Sequence, residues 1–260
     1  EMTSSLVGSE MCIRDRREAL RLLPNENYIY YGDSGNAPYG DKSDDDITAL
    51  TMACIDKLMA MNVKAILIAC NTATAASVSK VRQLMNQYSM PIISIEPAIK
   101  PACALPGTGK VFMMATLATT RLNRYLALQA RMPDPSRVIN IPCPGIVERV
   151  EAGIFDDDAY DDLFDKYFAP YVGTEVDAIV LGCTHYPFIK GAFARNAKRY
   201  LRGNCTLIDG SVGTVRQLER ILDMYKLKSP CGTGKVEFHT SGNEAVLKPI
   251  FEKLLKQDKI

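Results

Sequence analysis

The chain has 260 residues, 47% of them hydrophobic, which is enough for one large domain or two domains of ordinary size. Its formal net charge of +1 gives no reason to expect a nucleic acid or an anionic membrane surface as a partner. No apolar run approaches the roughly 20 residues needed to span a bilayer, and no secretory signal is visible, so we expect a cytoplasmic protein.

The first sixteen residues, EMTSSLVGSEMCIRDR, show no clear hydrophobic period. Their apolar stretch is too short for a signal peptide. Residues 7–15 resemble the translation of a sequencing-library adapter. We therefore expect residues 1–16 to be a non-native segment that stands in place of the true N-terminus, with native sequence beginning near Arg17 and a helical run to Leu23.

Strand and helix signals then alternate along the chain. The predicted strands cover residues 28–31, 65–69, 92–95, 111–115, 138–141, 178–182, 206–209 and 236–239. The predicted helices cover residues 43–61, 72–88, 116–131, 146–152, 158–171, 211–225 and 244–255. Ser43 and Ser211 are the expected caps of two of these helices.

The alternation of short strands with helices is typical of parallel sheets with helices on both faces. We expect an α/β protein made of two similar lobes, with the active site in the cleft between them. The first lobe is predicted to comprise residues 17–96 and 208–260, and the second to comprise residues 97–207.

Two cysteines are predicted to lie where a strand ends and a helix begins: Cys70 follows the strand 65–69, and Cys183 follows the strand 178–182. Ligands bind at this edge of an α/β sheet, and a helix that begins there favours anions, including a thiolate. A thiolate can remove a proton from one face of a substrate while a thiol donates one to the other face. Such a pair inverts a stereocentre without a cofactor.

Side chains beside the two cysteines suit this chemistry. His185 lies two residues after Cys183 and is placed to assist that thiol. Asn71, Thr72 and Thr184 offer hydrogen-bond donors for a substrate carboxylate. The alternative for either cysteine alone is a small buried hydrophobe, which is the role expected of Cys54, Cys103, Cys143, Cys205 and Cys231.

Other polar groups are given structural roles. His239, in a predicted strand, is expected to be structural, and the acidic residues 156–158 are expected to favour a helix start rather than to bind a metal. With two histidines in the chain, no zinc cluster is expected.

From about Arg17 to the C-terminus the chain resembles the glutamate racemases of the cofactor-independent aspartate/glutamate racemase superfamily. The segments that carry the resemblance are Tyr31-Gly32-Asp33, Pro38-Tyr39-Gly40, Ala69-Cys70-Asn71-Thr72-Ala73, Thr116 and Thr119, Glu151-Ala152-Gly153, and Gly182-Cys183-Thr184-His185-Tyr186-Pro187. The resemblance implies a two-lobed α/β fold, a reaction that needs no cofactor or metal, and glutamate as the substrate.

The resemblance also assigns roles to residues. Cys70 is implied to act on the D-enantiomer and Cys183 on the L-enantiomer, with His185 supporting Cys183 and Glu151 as an auxiliary group. The residues implied to bind substrate are Asp33, Pro38, Tyr39, Gly40, Asn71, Thr72, Thr116, Thr119 and Thr184. A homodimer that supplies D-glutamate for peptidoglycan in the bacterial cytoplasm is the expected biological form.

One departure from the family is visible. Its members open with a strand that ends in Asp-Ser-Gly-x-Gly-Gly, whose Asp lies near the first thiol, and this chain has no such segment. We therefore expect one sheet to lack a strand, Cys70 to lack its carboxylate neighbour, and activity to be impaired.

Three other functions compete with glutamate racemisation. A racemase of the same superfamily acting on aspartate or a similar acid is disfavoured, because aspartate-type members usually carry Glu where His185 stands. A non-catalytic protein that binds an acidic amino acid would use the same cleft. A thiol-disulfide oxidoreductase is disfavoured by the absence of a Cys-x-x-Cys motif.

Overall fold

The computed structural model describes residues 3–8 and 13–256, with side chains from Glu18 to Pro249 and of Glu252. The strands are β1 Thr3–Gly8, β2 Tyr28–Gly32, β3 Val63–Ile68, β4 Ile92–Ser94, β5 Lys110–Ala115, β6 Val138–Pro142, β7 Val176–Leu181, β8 Thr206–Ile208 and β9 Val236–Thr240. The α-helices are α1 Ile13–Leu22, α2 Asp44–Ala60, α3 Asn71–Tyr88, α4 Ile99–Cys103, α5 Leu117–Arg121, α6 Asn123–Gln129, α7 Ile146–Glu151, α8 Asp161–Phe168, α9 Lys190–Tyr200, α10 Ser211–Met224 and α11 Glu244–Lys256. Short 3₁₀ turns connect several of them.

The chain divides into two compact units, each with its own sheet. The described residues up to Glu96 and from Ser211 onward form the first unit, and Pro97–Gly210 form the second. The first sheet has the strand order β4-β3-β1-β2-β9 and the second has the order β6-β5-β7-β8. All neighbouring strands are parallel. The predicted α/β fold with parallel sheets flanked by helices is confirmed.

The first sheet does not lack a strand. β1 lies at its centre and pairs with β2 on one side and β3 on the other, so the expectation of a missing strand is wrong. Ladder hydrogen bonds join backbone groups, which residues 3–8 supply whatever their side chains. The Asp-Ser-Gly-x-Gly-Gly segment that the resemblance leads us to expect at the end of this strand is still absent from the sequence.

The central strands are buried along their whole length. Every residue of β2 and β3 is buried, as are the last five of the six residues of β5. Strands covered on both faces need continuous apolar runs, and Lys64 in β3 is a polar exception. Its Nζ contacts Glu26 Oε2 at 2.6 Å, so the buried charge is paired.

Two predicted helices are shorter than expected. The predicted helix 116–131 is divided into α5 and α6, because Leu122 between them has the extended ψ of 133°. The predicted helix 158–171 is reduced to α8 flanked by 3₁₀ turns, and Pro170 in the second turn lacks the N–H that a longer helix needs. Ser43 caps α2 as predicted, but Ser211 is itself the first residue of α10.

Within the described residues, no helix is both long and apolar enough to cross a bilayer.

Candidate functional site

Cys70 lies at the junction between β3 and α3, the position that the sequence predicts. It is the N-cap of the 18-residue helix α3, and its sulfur accepts the Ala73 N–H at 3.4 Å. The residue is 6% exposed. Burial disfavours a thiolate, whereas the N–H donor and the positive end of the helix dipole favour one.

The first turn of α3 carries three more buried polar residues, Asn71, Thr72 and Thr74. Among the described residues, Asn71 Oδ1 and Thr74 Oγ1 have no hydrogen-bond partner. A buried polar atom without a partner costs about 1–3 kcal/mol, so both are suited to bind a ligand. Thr74 is not among the site residues predicted from the sequence, although its spacing of four residues from Cys70 places both on one helix face.

Asp33 and Tyr39 form a buried pair in the loop after β2. The Tyr39 hydroxyl donates to Asp33 Oδ2 at 2.7 Å, and Asn36 Nδ2 donates to Oδ1 at 2.9 Å. Burial, and then the hydrogen bond to Asp33, raises the pKa of Tyr39. Tyr39 therefore remains a neutral hydroxyl donor. Pro38 and Gly40 flank it and are half-buried.

A second thiol of this unit, Cys54 of α2, lies beside this pair. Its burial, followed by the negative charge of Asp33, raises the pKa of Cys54 to about 12. The thiol stays protonated at neutral pH, in keeping with the inert role that the sequence analysis gives it.

Cys183 lies in the second unit, one residue beyond Gly182 at the end of β7. Unlike Cys70, it does not cap an α-helix: a 3₁₀ turn at Tyr186–Ile189 precedes α9. The prediction that both thiols stand at helix starts is therefore wrong for Cys183. Pro187, four residues after Cys183, has no N–H to donate to the Cys183 carbonyl oxygen, so it cannot form the first hydrogen bond of an α-helix that Cys183 would cap.

His185 connects Cys183 to a carboxylate. The imidazole Nδ1 lies 3.4 Å from Cys183 Sγ, and Nε2 contacts Glu151 Oε1. Glu151 is the last residue of α7, and His185 is 3% exposed. When the Glu151 carboxylate accepts a hydrogen bond from Nε2–H of the neutral ring, Nδ1 faces the sulfur with its lone pair. The three groups form a thiol–imidazole–carboxylate chain.

Two predicted threonines of the second unit meet at the start of α5. Thr116 is the N-cap and its Oγ1 accepts the Thr119 N–H at 3.2 Å, while the two hydroxyl oxygens are 3.0 Å apart. Thr119 is fully buried, and Thr184, beside Cys183, is half-buried.

The predicted site residues are thus divided between the two units. The group in the first unit consists of Asp33, Pro38, Tyr39, Gly40, Cys70, Asn71 and Thr72. The group in the second unit consists of Thr116, Thr119, Glu151, Cys183, Thr184 and His185.

Comparison with known proteins gives concordant matches. Residues 8–218 match the family described as Asp/Glu/Hydantoin racemase. The chain is 42% identical over 243 residues to the glutamate racemase of Clostridium novyi, covering 92% of this chain and 91% of that protein. It is 43% identical over 211 residues to the glutamate racemase of Clostridium acetobutylicum, covering 81% and 80% of the two chains. The crystal structure of glutamate racemase from Francisella tularensis in complex with D-glutamate matches with a TM-score of 0.82 at 26% identity, covering 98% and 94%.

Proposed function

The chain belongs to the Asp/Glu/Hydantoin racemase family, and from this membership we propose that it is a cofactor-independent glutamate racemase. The relatives from both Clostridium species are glutamate racemases, and the Francisella tularensis structure holds D-glutamate. The observation that carries the proposal within this chain is the Cys183–His185–Glu151 chain. In it, the imidazole can accept the proton of the Cys183 thiol. The thiolate that results is the base needed to remove the weakly acidic Cα proton.

Cys183 is the base for L-glutamate in this proposal. His185 Nδ1 takes the thiol proton and leaves a thiolate, while Glu151 holds the imidazole in orientation and stabilises its positive charge. The thiolate then removes the Cα proton from L-glutamate. The burial of His185 limits the access of bulk water to its ring.

Cys70 is the corresponding group for D-glutamate. As a thiol it donates its proton to the other face of the Cα carbanion, and D-glutamate forms. In the reverse direction the Cys70 thiolate, favoured by the Ala73 N–H and the α3 dipole, removes the Cα proton. One proton leaves and one is added in each turnover, so the thiols exchange protonation states and no oxidant or cofactor is consumed.

The polar residues around the thiols bind the rest of the substrate. Asn71 Oδ1, which lacks a partner among the described residues, accepts a hydrogen bond from the substrate ammonium group. The remaining binding residues of the proposal are Asp33, Pro38, Tyr39, Gly40, Thr72, Thr116, Thr119 and Thr184. Fixing both polar ends of glutamate holds Cα in one orientation for the two thiols.

The biological role in this proposal is to supply D-glutamate for peptidoglycan in the bacterial cytoplasm. The protein acts as a homodimer, and neither a nucleic acid nor a membrane takes part. The oligomeric state is measurable by light scattering on the purified protein.

The test is proton NMR of L-glutamate in D2O with the purified protein and no added cofactor. We expect the Cα proton signal to disappear as deuterium replaces it, and D-glutamate to accumulate on a chiral column. Cys70→Ser and Cys183→Ser each abolish racemisation, while Cys231→Ser, at an exposed position, does not.

Parallel samples with L-aspartate distinguish an aspartate racemase. Glutamate binding by calorimetry without Cα exchange would instead establish a binding protein and overturn the proposal.

A further inference from the structure

Two glycine turns from distant parts of the sequence meet in the first unit. Gly35 lies in the 3₁₀ turn Ser34–Asn36, and Gly242 follows β9. The Gly35 N–H donates to Ser241 Oγ at 3.0 Å. A Cβ on Gly35 would lie 2.8 Å from the Ser241 carbonyl oxygen, and one on Gly242 would lie 3.2 Å from Ser34 Cβ. The two turns are in such close contact that Gly35 has no room for a side chain, and a Cβ on Gly242 would be tightly packed against Ser34.

The turn Ser34–Asn36 controls the surroundings of the Asp33 carboxylate. Asn36 donates to Asp33 twice, from its side chain to Oδ1 at 2.9 Å and from its backbone N–H to the carbonyl oxygen at 3.1 Å. Tyr39, three residues beyond the turn, donates to Oδ2 at 2.7 Å. Displacement of the turn would therefore change the orientation of both Asp33 and Tyr39.

The other side of the contact is anchored to the sheet. The Ser241 N–H donates to the Gly32 carbonyl oxygen at 3.0 Å, and Gly32 pairs with Thr240 in the ladder of β2 and β9. The Gly242 N–H donates to Thr240 Oγ1 at 3.0 Å. Ser241 is thus held relative to β2, the strand from which the Asp33 loop emerges.

We propose that Ser241 is a positioning residue for glutamate binding: its hydroxyl holds the Gly35 N–H and thereby aligns Asp33 and Tyr39. The expected effect of Ser241 on the KM rests on the proposed function, because that function assigns Asp33 and Tyr39 to the substrate pocket. Ser241 itself touches no substrate in this proposal and acts through the turn. Neither its spacing nor its residue type singles it out in the sequence.

The kinetic test compares Ser241→Ala, Ser241→Thr and Asn243→Ala. Removing the Ser241 hydroxyl is expected to raise the KM for glutamate about three- to tenfold, the equivalent of one hydrogen bond, with little change in kcat because both thiols remain. Ser241→Thr keeps the hydroxyl and the KM. Asn243 Oδ1 accepts the Ala245 N–H at the start of α11, so Asn243→Ala is a control that lowers the Tm and leaves the KM unchanged.

A second readout does not depend on activity. In protein labelled with 3-fluorotyrosine, the ¹⁹F signal of Tyr39 is assigned with Tyr39→Phe, and we expect Ser241→Ala to shift it and Asn243→Ala not to. An unshifted Tyr39 signal, or an unchanged KM in an active enzyme, overturns the role of Ser241. If the wild-type protein exchanges no glutamate proton, the proposed function fails, and the Tyr39 signal still decides whether Ser241 positions the loop.

Discussion

At the scale of single residues, the two histidines of the chain have different surroundings. His185 is buried between a thiol and a carboxylate, whereas His239 lies on β9, is 32% exposed and contacts Glu237 Oε1 at 2.8 Å. The chain therefore contains its own matched control for the role of an imidazole.

His185→Asn is expected to lower the rate of glutamate racemisation by about 10²–10⁴-fold, the usual contribution of a general base. The reason is that Cys183 loses the group that accepts its proton. His239→Asn is expected to leave the rate unchanged. Steady-state kinetics with both enantiomers check this, and equal losses in the two variants would contradict the assignment.

Cys54 makes a prediction about stability and pH. Its pKa is about 12 in the folded protein, above the ordinary value of 9.0, so the folded state holds this proton more tightly than the unfolded chain does. The stabilisation is fully present below pH 9 and is lost as the pH rises from 9 towards 12. Each pH unit in that range removes up to about 1.4 kcal/mol from the free energy of unfolding.

Urea unfolding of the wild-type protein and Cys54→Ala between pH 8 and 11 measures this effect. The variant is less stable at pH 8 because of the cavity it creates, but we expect its stability to fall less steeply above pH 9. Cys231→Ala, at an exposed thiol, is the control. Parallel curves for the wild-type protein and Cys54→Ala would refute the prediction.

At the scale of elements, the close packing of Gly182, just after β7, against β5 determines the position of the Cys183 thiol. A Cβ on Gly182 would lie 2.4 Å from Met113 Cε, 2.8 Å from the Met114 carbonyl oxygen and 2.9 Å from Ala115 Cβ. The methionine side chain can move, but the backbone of β5 cannot. Only glycine lets β7 pack here and present Cys183 beside His185.

Gly182→Ala is expected to lower stability by about 1–3 kcal/mol, as other overpacked sites do, and to lower kcat because Cys183 moves away from His185. Gly213→Ala is the matched control, since a Cβ at this position in α10 meets no atom within 4 Å. It is expected to raise stability by about 1 kcal/mol through helix propensity. Thermal unfolding and kinetics of both variants test the pair, and a fully active, stable Gly182→Ala would contradict it.

At the scale of the whole molecule, the N-terminal segment has two separable contributions. Its backbone supplies β1 at the centre of the first sheet, but its sequence lacks the Asp-Ser-Gly-x-Gly-Gly that the resemblance to glutamate racemases leads us to expect. The predicted impairment of activity therefore follows from missing side chains rather than from a missing strand.

Replacing residues 1–16 with a family-like segment that ends in Asp-Ser-Gly-x-Gly-Gly is expected to raise kcat/KM on the order of 10²-fold, through the added carboxylate near Cys70. A matched segment with Asn and Ala in place of that Asp and Ser keeps the strand but lacks the reactive side chains, and is expected to leave activity low. Equal activity of the original chain and both replacements would show that the segment does not limit catalysis.

Local sequence was sufficient to predict most strands, the cap of α2 and the position of Cys70. The signals involved extend over a few residues: apolar runs for buried strands, and a polar side chain before a helix. The same reasoning was wrong where local signals were interrupted, as at Leu122 and Pro170, and at Cys183, which precedes a 3₁₀ turn.

The α/β class and the thiol at the end of β3 therefore follow from local sequence, and the motifs pointed to the family. The partners that these residues meet depend on the tertiary fold. The contact of Glu151 with His185 spans 34 positions, and that of Gly35 with Ser241 spans 206. Periodicity and capping act through neighbouring backbone groups, whereas such contacts exist only once distant strands have paired and brought their ends together.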